Sequence, residues 1–201
     1  MLSSQKTYDD LSAEYEARVP ILANSTKALI HRFVPFITTG RNVLDIGCAV
    51  GHAMSIFRQG GFIVDGVEFS EPMATFAKKR NPVSKIFIGD FRTVRFSRQY
   101  DAVFAHAFIH LFPSRELPKI LRKIRQLLKP HGALFVSSTY STRNSEGWES
   151  KNDFPGSGKR YRRHFTKQEF LNVLSENGFT IVDFYLASDP LQKKWMIATA
   201  R

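Results

Sequence analysis

Short apolar runs alternate along this chain with longer stretches whose apolar residues recur every three or four positions. The runs are Val43-Leu44 with Ile46, Phe62 to Val67, Lys85 to Ile88, Tyr100 to Ala105, and Ala133 to Ser137. Each has the length and β-branched or aromatic content of a buried strand. Between them, Ala53 to Phe57 is compatible with a helix. Leu117, Ile120, Leu121, Ile124, Leu127 and Leu128 form an amphipathic stripe on a predicted helix from Arg115 to Leu128, with Ser114 as its N-cap. Strands that alternate with helices predict an α/β fold with a doubly wound, mostly parallel sheet. Before the first strand, residues 5–36 read as two helices. Tyr8, Leu11, Tyr15 and Val19 line one, which Pro20 ends or kinks, and Asn24 or Ser25 caps the second.

After the fifth strand the pattern lapses. Residues 139–165 hold Gly147-Trp148, Pro155-Gly156-Ser157-Gly158 and the basic cluster Lys159 to His164, and read as a loop. Thr166-Lys167-Gln168-Glu169 then has the form of a capping box, and Asn177-Gly178 stops that helix. Thr180 to Leu186 and Lys194 to Thr199 read as a closing antiparallel pair.

The candidate chemistry lies at the strand ends. Val43-Leu44-Asp45-Ile46-Gly47-Cys48-Ala49-Val50-Gly51 places an acid and two glycines between a strand and a helix. Such a turn lets a ligand approach the main chain, and the helix N-terminus offers it free N–H groups. Glu68 ends the second strand 21 residues after Gly47, the distance at which an acid can accept both hydroxyls of a ribose. Asp90 and Phe91 follow the third strand. His106 and His110 follow the fourth, and imidazole titrates where a general base is useful. Two histidines four residues apart leave a metal site incomplete, so no metal is expected.

Together, Asp45-Ile46-Gly47-Cys48-Ala49-Val50-Gly51, Glu68, Asp90-Phe91 and Leu127-Leu128-Lys129-Pro130-His131-Gly132 resemble the motifs of class I S-adenosylmethionine-dependent methyltransferases, in their small-molecule branch. The family pattern has glycine where this chain has Ala49 and His131. The resemblance covers about residues 5–201. It implies a Rossmann-like sheet of seven strands, mostly parallel with the last strand antiparallel, as a single domain over residues 1–201. Residues 1–38 would form a helical lid and 139–165 a substrate-loop insertion.

The cofactor implied is S-adenosylmethionine, leaving S-adenosylhomocysteine. The binding residues carried over are Asp45, Gly47, Cys48, Ala49, Gly51, Glu68, Phe69, Met73, Asp90, Phe91, Ala105 and His106, with Tyr15 and Arg18 from the lid. Glu68 would take the ribose, Asp90 the adenine amine and Phe91 the purine face. His106 and His110 are the catalytic candidates, or they simply line the pocket. Arg160, Tyr161, Arg163 and His164, together with Phe154, would recognise an anionic or aromatic acceptor.

Charge and composition then narrow the function class. The 201 residues carry a net charge of +11, and eight of those excess charges fall within residues 111–201. That leaves an RNA or DNA methyltransferase as the alternative to a small-molecule enzyme. The asparagine-proline-proline-aromatic motif of exocyclic-amine methyltransferases is absent, since Ala105-His106-Ala107-Phe108 stands there. A nicotinamide dehydrogenase is disfavoured, because the first turn lacks Gly-x-Gly-x-x-Gly spacing. The single cysteine excludes an intrachain disulfide. No long apolar span or signal-peptide core is present, so a cytoplasmic protein without membrane insertion is expected.

Overall fold

A computed structural model describes residues 2–150 and 158–201. Seven strands form one sheet: β1 (Asn42–Ile46), β2 (Ile63–Glu68), β3 (Ile86–Ile88), β4 (Tyr100–Ala105), β5 (Leu128–Thr139), β8 (Ile181–Ser188) and β9 (Lys194–Ala200). Their order is β3-β2-β1-β4-β5-β9-β8, and β9 runs antiparallel to both of its neighbours. The chain reverses direction across the sheet between β1 and β4, which pair in parallel. At such a switch point the loops leaving two adjacent strands diverge and open a crevice above their carboxyl ends.

Alternate residues of β1 enter different cores, which is why its apolar run is nearly continuous. Leu44 and Ile46 pack with helix α6 (Leu117–Leu127) and helix α7 (Lys167–Glu176) on one face of the sheet. Val43 packs on the other face with α3 (Val19–Phe33) and α4 (His52–Gln59). There Phe33, Phe57, Phe104 and Phe135 form a cluster of edge-to-face and stacked rings.

Several local expectations change. The N-terminal segment folds as three helices, α1 (Leu2–Asp10), α2 (Ser12–Ala17) and α3. Pro20 opens α3 instead of ending its predecessor, because proline fits a first helical turn whose N–H groups have no partner anyway. Asn24 and Ser25 therefore lie within α3 and cap nothing. Ser114 does not cap α6, which starts at Leu117 with Pro118 in its first turn. Ser114 instead bonds the Glu146 carboxylate through its N–H and hydroxyl at 2.8 and 2.9 Å.

The Thr166 cap forms, accepting the Glu169 N–H at 3.3 Å, while the Glu169 carboxylate turns away to Arg163. The expected loop also gives way to regular structure: β6 (Ser145–Ser150) and β7 (Lys159–His164) form a separate two-stranded antiparallel sheet. Alternating Glu and Arg on these strands look solvent-exposed in sequence. They satisfy one another across the pair, with Glu146 opposite Arg163 and Glu149 opposite Arg160.

Two family glycines are replaced without change of backbone shape. Ala49 has φ of 47° and His131 has φ of 62°, both left-handed. The turn geometry is thus kept at a local cost of about 1 kcal/mol per residue.

Candidate active site

The glycine turn sits between β1 and α4, and a side chain from the next strand holds it. The Glu68 carboxylate accepts the Ala49 N–H at 2.8 Å through one oxygen and the Phe69 and Ser70 N–H groups at 2.9 Å through the other. Glu68 is 3% exposed, and burial pushes its pKa up to about 7 against those three donors. Asp45 is buried beside it. Burial first, and then the charge of Glu68, push its pKa up to about 8. One Asp45 oxygen is buried without a hydrogen-bond partner, as is Nε2 of His52 at the start of α4. Buried polar groups are rarely left so, and each has room for a ligand partner.

A cavity of about 770 Å³ opens above these groups. Gly47, Cys48, Ala49, Glu68, Phe69, Met73, Asp90 and Phe91 line one end, with Tyr15 and Arg18 from the N-terminal helices. A Cβ on Gly47 would meet the Phe108 ring at 3.2 Å, which leaves little width at the turn. Asp90 accepts the Arg92 N–H at 2.9 Å and pairs with its guanidinium at 2.7 Å. Phe91 packs edge-to-face on Phe108.

Helix α1 closes this end. Tyr8 sets its ring against Tyr15 and Phe69 at centroid distances of 6.0 and 5.6 Å, and Gln5 donates to the Phe69 carbonyl. Thr7 donates to the Lys159 carbonyl at 2.7 Å, so α1 also bridges to β7.

His106 and His110 line the same cavity farther along, together with Trp195, Asp189, Tyr161, Arg160 and Arg162. Both histidines are neutral near pH 7. Burial holds His106 down to about 4. It also lowers His110, an effect to which the charges of Arg162 and Arg160 add. A histidine with so low a pKa is a poor proton acceptor at neutral pH.

Four expected site residues lie elsewhere. Ala105 is fully buried in the core and does not line the cavity. Gly51 serves packing: a Cβ there would stand 2.9 Å from the Ala77 Cα and 2.6 Å from the Asn81 amide. Arg163 is taken up by Glu146 at 2.8 Å and by Glu169, and His164 by Glu149 at 2.8 Å. Phe154 lies outside the described residues. The sequence reading missed Arg162, Trp195, Asp189 and Tyr8. Arg162 was legible only as one of a basic run, and the others required knowing which strand faces which loop.

Among the described residues no cluster of three or more His, Cys, Asp or Glu could hold a metal ion, and no helix is long and apolar enough to cross a membrane. Arg160, Arg162 and Arg163 are each less than 10% exposed. They do not present the exposed phosphate-tracking face that nucleic-acid binding requires.

The donor set of S-adenosylmethionine fits this site. Its ammonium, ribose hydroxyls and exocyclic amine need acceptors, and the cavity end supplies the Asp45, Glu68 and Asp90 carboxylates around a narrow main-chain turn.

The family model described as "methyltransferase domain" matches residues 16–183. A dTDP-3-amino-3,4,6-trideoxy-alpha-D-glucopyranose N,N-dimethyltransferase from Streptomyces venezuelae is 27% identical over 146 residues, covering 71% of this chain and 62% of that protein. A cypemycin N-terminal methyltransferase from Streptomyces sp is 32% identical over 104 residues, covering 50% of this chain and 42% of that one. The chain therefore matches between about four and six tenths of the length of these relatives. Among solved structures, one described as a DhpI–SAH complex superposes with a TM-score of 0.78 at 18% identity, covering 99% of this chain and 95% of that one. The likeness extends to the whole fold.

Proposed function

Since the chain belongs to the methyltransferase-domain family, we propose that it transfers a methyl group from S-adenosylmethionine to a small anionic acceptor. The observation that carries this reading is one continuous cavity with two chemically distinct ends. Carboxylates and a tight main-chain turn form the first, and histidines and guanidinium groups form the second.

At the first end Glu68 accepts the ribose hydroxyls, Asp90 the adenine amine and Asp45 a further cationic or N–H donor. Phe91 and Met73 supply apolar contact. The bound cofactor supplies an electrophilic methyl carbon. The chain's own contribution is to hold the acceptor in line with that carbon and to keep water out. Helices α1 to α3 serve as the lid, with Tyr15 and Arg18 facing the cofactor. The β6–β7 hairpin walls the acceptor end, where Arg160 and Arg162 share the one carboxylate of Glu149 at 3.8 and 3.6 Å and so leave a net positive charge to attract an anion, and Tyr161 gives an aromatic surface.

Isothermal titration with S-adenosylmethionine and, separately, NAD tests the cofactor assignment. Binding of the first but not the second, weakened about tenfold or more in Glu68→Ala, is the expected result. Equal binding of both, or none of either, removes the reading.

A further inference from the structure

His106 is held in a way that decides which of its nitrogens carries a proton. Its Nδ1 lies 2.7 Å from the Ser137 hydroxyl, and the same hydroxyl accepts the Ala107 N–H at 3.0 Å. Ser137 is fully buried near the end of β5. Among the described residues its oxygen has these two partners, so its own proton has one place to go. Were Nδ1 protonated, the Ser137 hydroxyl would receive two N–H donors and leave its proton without an acceptor, which a buried hydroxyl avoids. Ser137 therefore donates to Nδ1, and the neutral imidazole carries its proton on Nε2.

The ring is fixed on its face as well. Trp195 lies 4.9 Å away between ring centroids, and is itself tied by its indole N–H to Asp189 at 2.9 Å. Nε2 has no protein partner among the described residues, and His106 lines the cavity.

We propose that His106 is a hydrogen-bond donor to the acceptor, not its base, and that the acceptor is accordingly an anionic oxygen: a carboxylate, phosphate or phosphonate. This rests on the methyl-transfer reading above. A neutral amine has a single lone pair, and an N–H directed at it would tie up the pair that must attack; an alcohol must give up a proton, which an Nε2–H cannot take. An oxyanion needs no base. One of its lone pairs forms the O–CH3 bond while the S–CH3 bond breaks with its electron pair left on sulfur. The negative charge of the acceptor and the positive charge of the sulfonium cancel, and no proton is released. A second oxygen of the same anion accepts the Nε2–H, and Arg160 and Arg162 line the same cavity. The two relatives named above are, by name, an N,N-dimethyltransferase and an N-terminal methyltransferase, so this assignment separates the present chain from them.

The tautomer is readable without any substrate. In histidine-labelled apo protein at pH 7, 15N NMR is expected to show the Nε2–H form for His106, assigned by its loss in His106→Gln. Ser137→Ala removes the lock and lets the Nδ1–H form appear. An Nδ1–H form in the unaltered protein overturns the donor assignment.

The acceptor class is tested by titrating benzoate, phenylphosphonate and benzylamine into the protein saturated with S-adenosylhomocysteine. The two anions are expected to bind and the amine not. His106→Ala should weaken anion binding about tenfold, the loss of one charge-assisted hydrogen bond. His106→Gln, which keeps an N–H there, should stay within about threefold. Anions binding no tighter than benzylamine, including no binding of any of the three, overturns the oxyanion class. Failure of S-adenosylhomocysteine itself to bind would instead remove the methyltransferase reading, and the tautomer result stands apart from it.

Discussion

The Glu68 carboxylate and the Ala49 amide lie 2.8 Å apart, and this bond joins the end of β2 to the turn that follows β1. Both Glu68 oxygens accept backbone N–H groups, so the carboxylate shapes the turn as well as facing the cavity. Glu68→Gln must point an NH2 at one of those N–H donors. Stability should fall by about 1–3 kcal/mol in urea denaturation, together with weaker binding of S-adenosylmethionine by calorimetry. Binding lost without any change in unfolding would mean that the turn does not depend on this contact.

Asp45 and Glu68 make the cofactor-free protein less stable as pH rises. Their folded pKa values, about 8 and about 7, exceed those of the unfolded chain. The folded state thus binds more protons than the unfolded one across this range, and stability falls with pH. His52, His106 and His110 have lowered values and act in the opposite sense, an effect that fades out about one unit above the unperturbed imidazole value of about 6.5. Between pH 6.5 and 8 the loss from the two acids exceeds the gain from the histidines, and unfolding free energy should drop by about 1 kcal/mol. In Asp45→Asn the drop should be less than half as large, measured by urea denaturation at both pH values. A flat profile in the unaltered protein would show that the two carboxyls titrate normally.

Ala49 and His131 hold left-handed backbone angles that glycine adopts freely. His131→Gly, at an exposed irregularity near the start of β5, should raise stability by about 0.5–1 kcal/mol after the extra freedom of glycine in the unfolded chain is counted. That corresponds to a rise of about 1–4 °C in melting temperature. Ala49→Gly should do the same while leaving the Glu68 contact intact. Destabilisation by either change would show that the side chain contributes packing that outweighs the backbone strain.

Gly51 has no such tolerance. Its φ is 74°, and an added Cβ would collide with the Ala77 backbone. Gly51→Ala should cost about 2–4 kcal/mol by crowding α4 against helix α5 (Glu71–Arg80). Because Gly51 does not line the cavity, whatever protein remains folded should bind the cofactor with near-normal affinity. A folded variant that binds poorly would return Gly51 to the cofactor site.

The sheet and the order of its strand-end acids were legible because both are local. A strand is a run of apolar residues, and Asp45, Glu68 and Asp90 each stand within a few residues of one. The hairpin of β6 and β7 was not legible, since its charged residues look solvated until the facing strand is known. Arg163 and His164 illustrate this: as a basic run they suggest anion recognition, yet Glu146, Glu169 and Glu149 take them up. Arg162, from the same run, pairs with Glu149 at 3.6 Å and also lines the cavity.

The sequence by itself determined the alternation of strands and helices, the position of the main-chain turn and the family to which these motifs belong. All of these follow from residue type and spacing over a few turns of chain. Tertiary structure decided which side chains meet. Ser137 reaches His106 because β5 lies beside β4, and Trp195 reaches it because β9 runs antiparallel to β5. The protonated nitrogen of an imidazole depends on a partner 31 residues away along the chain. Periodicity carries no information about such a contact, since it is set by strand register and by the satisfaction of buried donors.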